Sequence, residues 1–238
     1  MDPRAEVTPP LTFQYHFRFD SGRDQRFTVR LDPHRMTLLH TPRSPLPAWT
    51  ALGHCQCPNC PLTPAQSPQC PAAVGLVELV GAFEQTRSIE QVTLRVEAEE
   101  RVYEKRTSIQ EAVSALLGVY MATSGCPVMA KLKPMVRFHL PFATIEETHF
   151  RALSMYLVAQ YLIAKRGGRP DWECRGLVAL YEQVMTVNEH FFKRLAGTGM
   201  EDAGLNALVR LDLYASAVAM TAEDILQEVQ SVFEAYLT

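Results

Sequence analysis

Four of the six cysteines crowd into one short stretch, as His54-Cys55-Gln56-Cys57-Pro58-Asn59-Cys60 and then Cys70. Thiolates at C-x-x-C spacing are soft ligands that one tight turn can direct at a single ion. Cys57 and Cys60 have that spacing; Pro58 presets φ between them and Asn59 tolerates a left-handed conformation. Cys70 precedes Pro71, a favoured first residue of a helix, so it is expected at an N-cap, where unpaired amides favour a thiolate. Cys55 completes a set of four, and His54 is the substitute if one sulfur turns away. The expectation is a structural zinc held by Cys55, Cys57, Cys60 and Cys70, because four protein ligands leave no open position for catalysis. An iron–sulfur cluster on the same sulfurs is the alternative cofactor. Disulfides or free surface thiols are the readings without metal. Structural zinc contributes roughly 10–16 kcal/mol in small peptides, as much as the roughly 5–15 kcal/mol net stability of a domain.

A second group of reactive side chains lies further on. Cys126 follows Ser124-Gly125, and Arg137-Phe138-His139 leads to Thr144-Ile145-Glu146-Glu147-Thr148-His149. Cys126, His139, Glu146 and Glu147 could form a thiol nucleophile, a base and a carboxylate orienter, with or without a second metal, in a metal- or thiol-dependent enzyme. Simpler roles compete at each position. Thr144 and Glu147 have capping-box spacing, Cys126 suits a small buried side chain, and His139 suits a hydrogen-bonded core position. No phosphate-binding glycine loop, G-x-S-x-G elbow, H-E-x-x-H or dinucleotide fingerprint occurs, which favours a protein without catalytic activity.

The elements that must hold these residues are written in the periodicity of the rest of the chain. Phe13, Tyr15, Phe17 and Phe19 alternate with polar side chains, as do Phe27, Val29 and Leu31 after the turn at Asp20-Ser21-Gly22, which predicts a β-hairpin. Residues 41–71 carry eight prolines and the cysteine run, an irregular excursion with little apolar content. A helix is expected from Pro71 to about Thr86, then strands around Val92–Val96 and Arg101–Tyr103. Ser108-Ile109-Gln110-Glu111 has capping-box form, and helices are expected over 144–166, 171–195, 201–220 and 221–237. The fold class is therefore α+β: a small N-terminal antiparallel sheet with a metal-clamped loop over residues 1–106, packed on a bundle of about five helices over 107–238. Asn188, Glu189, Asn206 and Asp212 interrupt apolar faces, and Arg137 or Arg151 are their expected partners.

The chain has 238 residues, 47% hydrophobic and 21% charged, with a net charge of −3. That is enough to bury a core and supplies no general field for nucleic acid. The amino terminus has no secretory pattern, and no apolar run is long enough to span a bilayer. A cytoplasmic protein with reduced thiols is the expectation.

Two stretches together resemble an uncharacterised bacterial family carrying a domain of unknown function: C-x-C-P-x-C-P-L at Cys55–Leu62, and Ser124-Gly125-Cys126-Pro127-x-Met129 leading to Arg137-Phe138-His139-Leu140-Pro141-Phe142-Ala143-Thr144. The similarity extends through Arg151, Pro170-Asp171-Trp172 and Asn206-Ala207-Leu208. It implies a bacterial origin and carries no activity. The functional expectation is a zinc-stabilised adaptor or regulatory protein that engages a protein partner or a second copy of itself.

Overall fold

Phe13, Tyr15, Phe17 and Phe19 take every second position of β1 (Leu11–Phe19) and are all buried, while Gln14 and Arg18 face solvent. Burial of each such ring is worth about 1.5–3 kcal/mol, so the two-residue period fixes which face of the strand turns inward. The computed structural model describes residues 8–39, 44–196, 198, 201–220 and 222–237. Residues 1–7 and the first residues of the proline-rich excursion lie outside that set. β2 (Asp24–Leu31), β3 (Gln91–Glu97) and β4 (Val102–Ser108) complete an antiparallel sheet in the order β2-β1-β3-β4. The edge strands carry Arg26 and Arg30 on one side and Glu104, Lys105 and Arg106 on the other, charges that discourage edge-to-edge pairing. Met36–Leu39 forms only a single bridge, Leu31 with Leu38, because Met36 adopts a φ of 51° that a strand cannot continue.

The inner face of the sheet is covered by α1 (Pro71–Ala82) and α2 (Ile109–Thr123). Phe83, at the end of α1, meets Phe17, Phe27 and Phe19 with ring centroids 5.0, 5.6 and 6.4 Å away. α2 is buried on nearly every side because α5 (Arg175–Leu195) and α6 (Glu201–Met220) form a further layer behind it. A short α3 (Lys133–Arg137) leads to α4 (Ile145–Lys165), which packs on α3 and α6; α7 (Ala222–Gln230) and α8 (Glu234–Leu237) close the chain. One continuous hydrophobic cluster runs from β1 through α2 to α6. The α+β architecture is therefore present, with its sheet in the N-terminal part and its helices following.

Two helix starts differ from expectation. Ser108 belongs to β4 and makes no capping bond; Glu111 instead accepts from Lys105 at 2.7 Å and Thr107 at 2.7 Å. The helix expected from residue 171 begins at Arg175, because Asp171 Oδ2 accepts from Gly176 N at 2.7 Å and Tyr156 Oη at 2.8 Å, bonding that defines a preceding turn. Thr144 and Glu147 do form the capping box, with reciprocal bonds of 3.1 and 2.8 Å.

Candidate metal centre

The proline-rich excursion is less irregular than its composition suggests. Leu52 N donates to Pro68 O at 2.9 Å and Cys70 N to Thr50 O at 2.8 Å, closing the base of the loop. Thr50 Oγ1 donates to Gln69 Oε1 at 2.8 Å. Arg194, on α5 and only 1% exposed, donates to the carbonyls of Trp49, Ala51 and Leu52 at 2.6, 2.8 and 3.2 Å. A buried guanidinium with three carbonyl acceptors is a strong fastening. Nothing in the local sequence points to it, since Arg194 lies far along the chain in the last turn of an amphipathic helix, where a cation is expected on dipole grounds alone.

Within this frame Cys57 and Cys60 flank a tight turn, with Cys60 N donating to Cys57 O at 3.0 Å. Gln56 Nε2 reaches Leu62 O at 2.9 Å, and Asn59 Nδ2 ties the turn to α5 through Gln183 O at 3.0 Å. Cys70 is the N-cap of α1, as expected, and its sulfur makes no capping bond. The fourth sulfur on the cavity is Cys126. Gly125, at a φ of 95°, turns the chain after α2 against Pro71, and Cys126 follows beside the start of α1. Cys57, Cys60, Cys70 and Cys126 all border one cavity of about 20 Å³, together with Asn59, Phe191 and Arg194. Cys55 does not. Its backbone is left-handed, at a φ of 50°, and it does not border that cavity. His54 is exposed and does not line it either.

The electrostatics follow from this convergence. Burial pushes the Cys57 thiol up to about 12, and the neighbouring sulfurs of Cys70, Cys126 and Cys60 push the same way, while Arg194 opposes them. Burial also raises Cys126, although the amides of Val128 and Met129 point at its sulfur and favour the thiolate. Asn59 Oδ1 is buried beside the cavity with no donor. All six cysteines are free thiols. Among the described residues, no three cysteine, histidine, aspartate or glutamate side chains already stand in a ligating arrangement.

The thiol, imidazole and carboxylates of the second group are not brought together. Cys126 faces the cysteine cavity, whereas His139 lies against β1, its Nε2 2.6 Å from Tyr15 Oη. Burial lowers His139 to about 3, so the ring is neutral. Glu147 is the α4 cap, and Glu146 sits exposed in the first turn of the same helix. Asn188 meets Asp212 at 3.5 Å, whereas Arg137 pairs with Glu99 at 3.8 Å and Arg151 binds the carbonyls of Met135 and Phe138.

A family model described as a domain of unknown function, DUF6901, matches residues 13–234. The chain belongs to this family. The match takes in both the cysteine loop and the Cys126 turn, so the two stretches that meet at the cavity lie within one family domain. No curated protein and no solved structure matches the chain. No helix among the described residues is long and apolar enough to cross a membrane.

Proposed function

We propose that this DUF6901 chain is a zinc-stabilised, non-catalytic adaptor in which Cys57, Cys60, Cys70 and Cys126 hold one structural ion. The observation that carries the reading is that four cysteines, from three separate stretches of chain, line a single cavity of about 20 Å³. That volume suits one ion and is too small for a multi-iron cluster, which favours zinc over iron–sulfur. Four thiolates around one ion leave no open position, so the metal's role is to fasten. It would join the cysteine loop, the start of α1 and the turn after α2, whereas Arg194 bonds only the chain at residues 49–52. A cation at that point would displace the thiol protons and offset the cost of grouping thiolates in a buried pocket.

The partner-facing part of the reading rests on α4. Val158, Tyr161 and Leu162 form an exposed apolar stripe at helical spacing, followed in sequence by Lys165, Arg166 and Arg169. A stripe ending in three cations suits an amphipathic protein segment with acidic flanks.

Elemental analysis of anaerobically purified protein tests the metal assignment. One zinc per chain is expected, retained in Cys55→Ser and lost in each of Cys57→Ser, Cys60→Ser, Cys70→Ser and Cys126→Ser. Zinc kept by Cys126→Ser and lost from Cys55→Ser would return Cys55 to the set in place of Cys126. Wild-type protein without stoichiometric metal would end the reading.

A further inference from the structure

A second chamber, of about 190 Å³, lies on the far side of α2, between that helix, α5, α6 and the segment from α3 to the start of α4. Small side chains on α2 hollow it out. Ala115, Gly118 and Ala122 recur every three or four residues along one face of the helix, and a Cβ added at Gly118 would only touch Leu211, at 3.5 Å. The walls are otherwise mainly aliphatic, but the polar groups among them are not neutral overall.

His139 borders the chamber as an uncharged ring. Glu111 is already matched by Lys105 at 2.7 Å and Arg210 at 3.6 Å. Arg151 also faces the chamber. Its Nη2 donates to Met135 O and Phe138 O at 2.9 and 2.8 Å, and no carboxylate among the described residues pairs with it within 4.0 Å. Three of the five guanidinium N–H groups are left for another acceptor. Two further lining atoms, Asn188 Oδ1 and Arg210 Nε, are buried with no hydrogen-bond partner, and Asn188 is only 2% exposed. The spare N–H groups of Arg151 at the wall of a mainly apolar room point to a ligand that carries an acceptor of its own.

We propose that this chamber binds a small monocarboxylic acid with an apolar body, either one aromatic ring or a short hydrocarbon chain. The body would lie against the small-residue face of α2, and the carboxylate would accept from Arg151. Size supports this choice. An engineered apolar cavity of about 150 Å³ holds benzene, so 190 Å³ has room for a ring with a carboxylate attached. Charge selects the head group, because a guanidinium with no ion pair within 4.0 Å among the described residues, in a mainly apolar room, favours a monoanion over a neutral or cationic analogue of the same shape. The chamber is separate from the cysteine cavity, so this proposal stands or falls independently of the metal.

Titration calorimetry with benzoate, hexanoate, benzyl alcohol and benzylamine tests it on the wild-type chain. Benzoate or hexanoate should bind one to one, with benzyl alcohol at least tenfold weaker and benzylamine weaker still. Ala115→Leu places bulk in open space and should abolish binding without lowering Tm. Arg151→Met should reduce the preference for benzoate over benzyl alcohol to near unity. Should Arg151→Met fail to fold, since Arg151 also holds α3, Ala115→Leu and the wild-type ligand series still decide the matter. Absence of saturable binding by both acids, equal affinity for benzoate and benzyl alcohol, or unchanged binding in Ala115→Leu would each overturn the proposal.

Discussion

His139 shows how far a residue's surroundings can outweigh its type. Imidazole ordinarily titrates near 6.5, but burial against β1 holds this one near 3, and its Nε2 lies 2.6 Å from the Tyr15 hydroxyl. Burial also raises Tyr15, so the phenol keeps its proton beside the ring. Above pH 6.5 the histidine is neutral whether the chain is folded or not, and it contributes no pH dependence. Between 6.5 and about 3 the unfolded chain binds a proton that the folded chain refuses, so stability falls as pH falls, by about 1.4 kcal/mol per unit once the window is entered. Urea unfolding at pH 7.5, 6.5, 5.5 and 4.5 should therefore show a steeper acid loss in wild type than in His139→Gln, which keeps an acceptor for Tyr15 without the titration. Parallel slopes for the two proteins would mean that the ring is charged in the fold. Proximity in sequence to Cys126 and Glu147 had suggested a catalytic base, but a ring that stays neutral and bonded to β1 behaves as a core residue.

At the scale of elements, patterns that depend on local geometry were legible and those that depend on distant packing were not. The two-residue period of β1 and the Thr144–Glu147 cap each involve atoms a few residues apart, and both took the expected form. Ser108 and Glu111 have the same cap spacing, but β4 claims Ser108 for the sheet and Lys105 and Thr107 claim the carboxylate. Which cysteines share the cavity also depends on distant packing. Cys55 is nearest to Cys57 in sequence, whereas Cys126 reaches the cavity only because the end of α2 returns to the start of α1. Helix α4 carries a further element-scale consequence, since its stripe of Val158, Tyr161 and Leu162 lies in the open at helical spacing. A photo-crosslinker at Val158 should label a protein containing an acid-flanked amphipathic segment, and Leu162→Asp should suppress that labelling without altering Tm. Labelling of a second copy of the chain, with concentration-dependent dimerisation lost in Leu162→Asp, would assign the stripe to self-association. No labelling of any protein would remove α4 from the functional reading.

For the molecule as a whole, the continuous cluster from β1 to α6 bears on what the proposed metal can and cannot hold. Leu52 is buried but stands outside that cluster, and the excursion touches it mainly through the partly buried Trp49, Cys57 and Cys70. The sheet, α1, α2, α5 and α6 bury their apolar faces against one another with no help from the loop. Metal removal should accordingly release the excursion while the core stays folded, a local opening of the kind that native-state exchange resolves. Hydrogen exchange after chelation is expected to show faster amides across residues 44–70, with β1, β3 and α2 still protected. Arg194 should keep its carbonyls at Trp49, Ala51 and Leu52, so amides near residues 50–52 should open less than those of the Cys57–Cys60 turn. Collapse of the helical circular-dichroism signal on chelation would show that the ion stabilises the whole fold and not only the loop. Exchange that does not change with chelation would show that Arg194 and the bridge at the loop's base hold the excursion unaided.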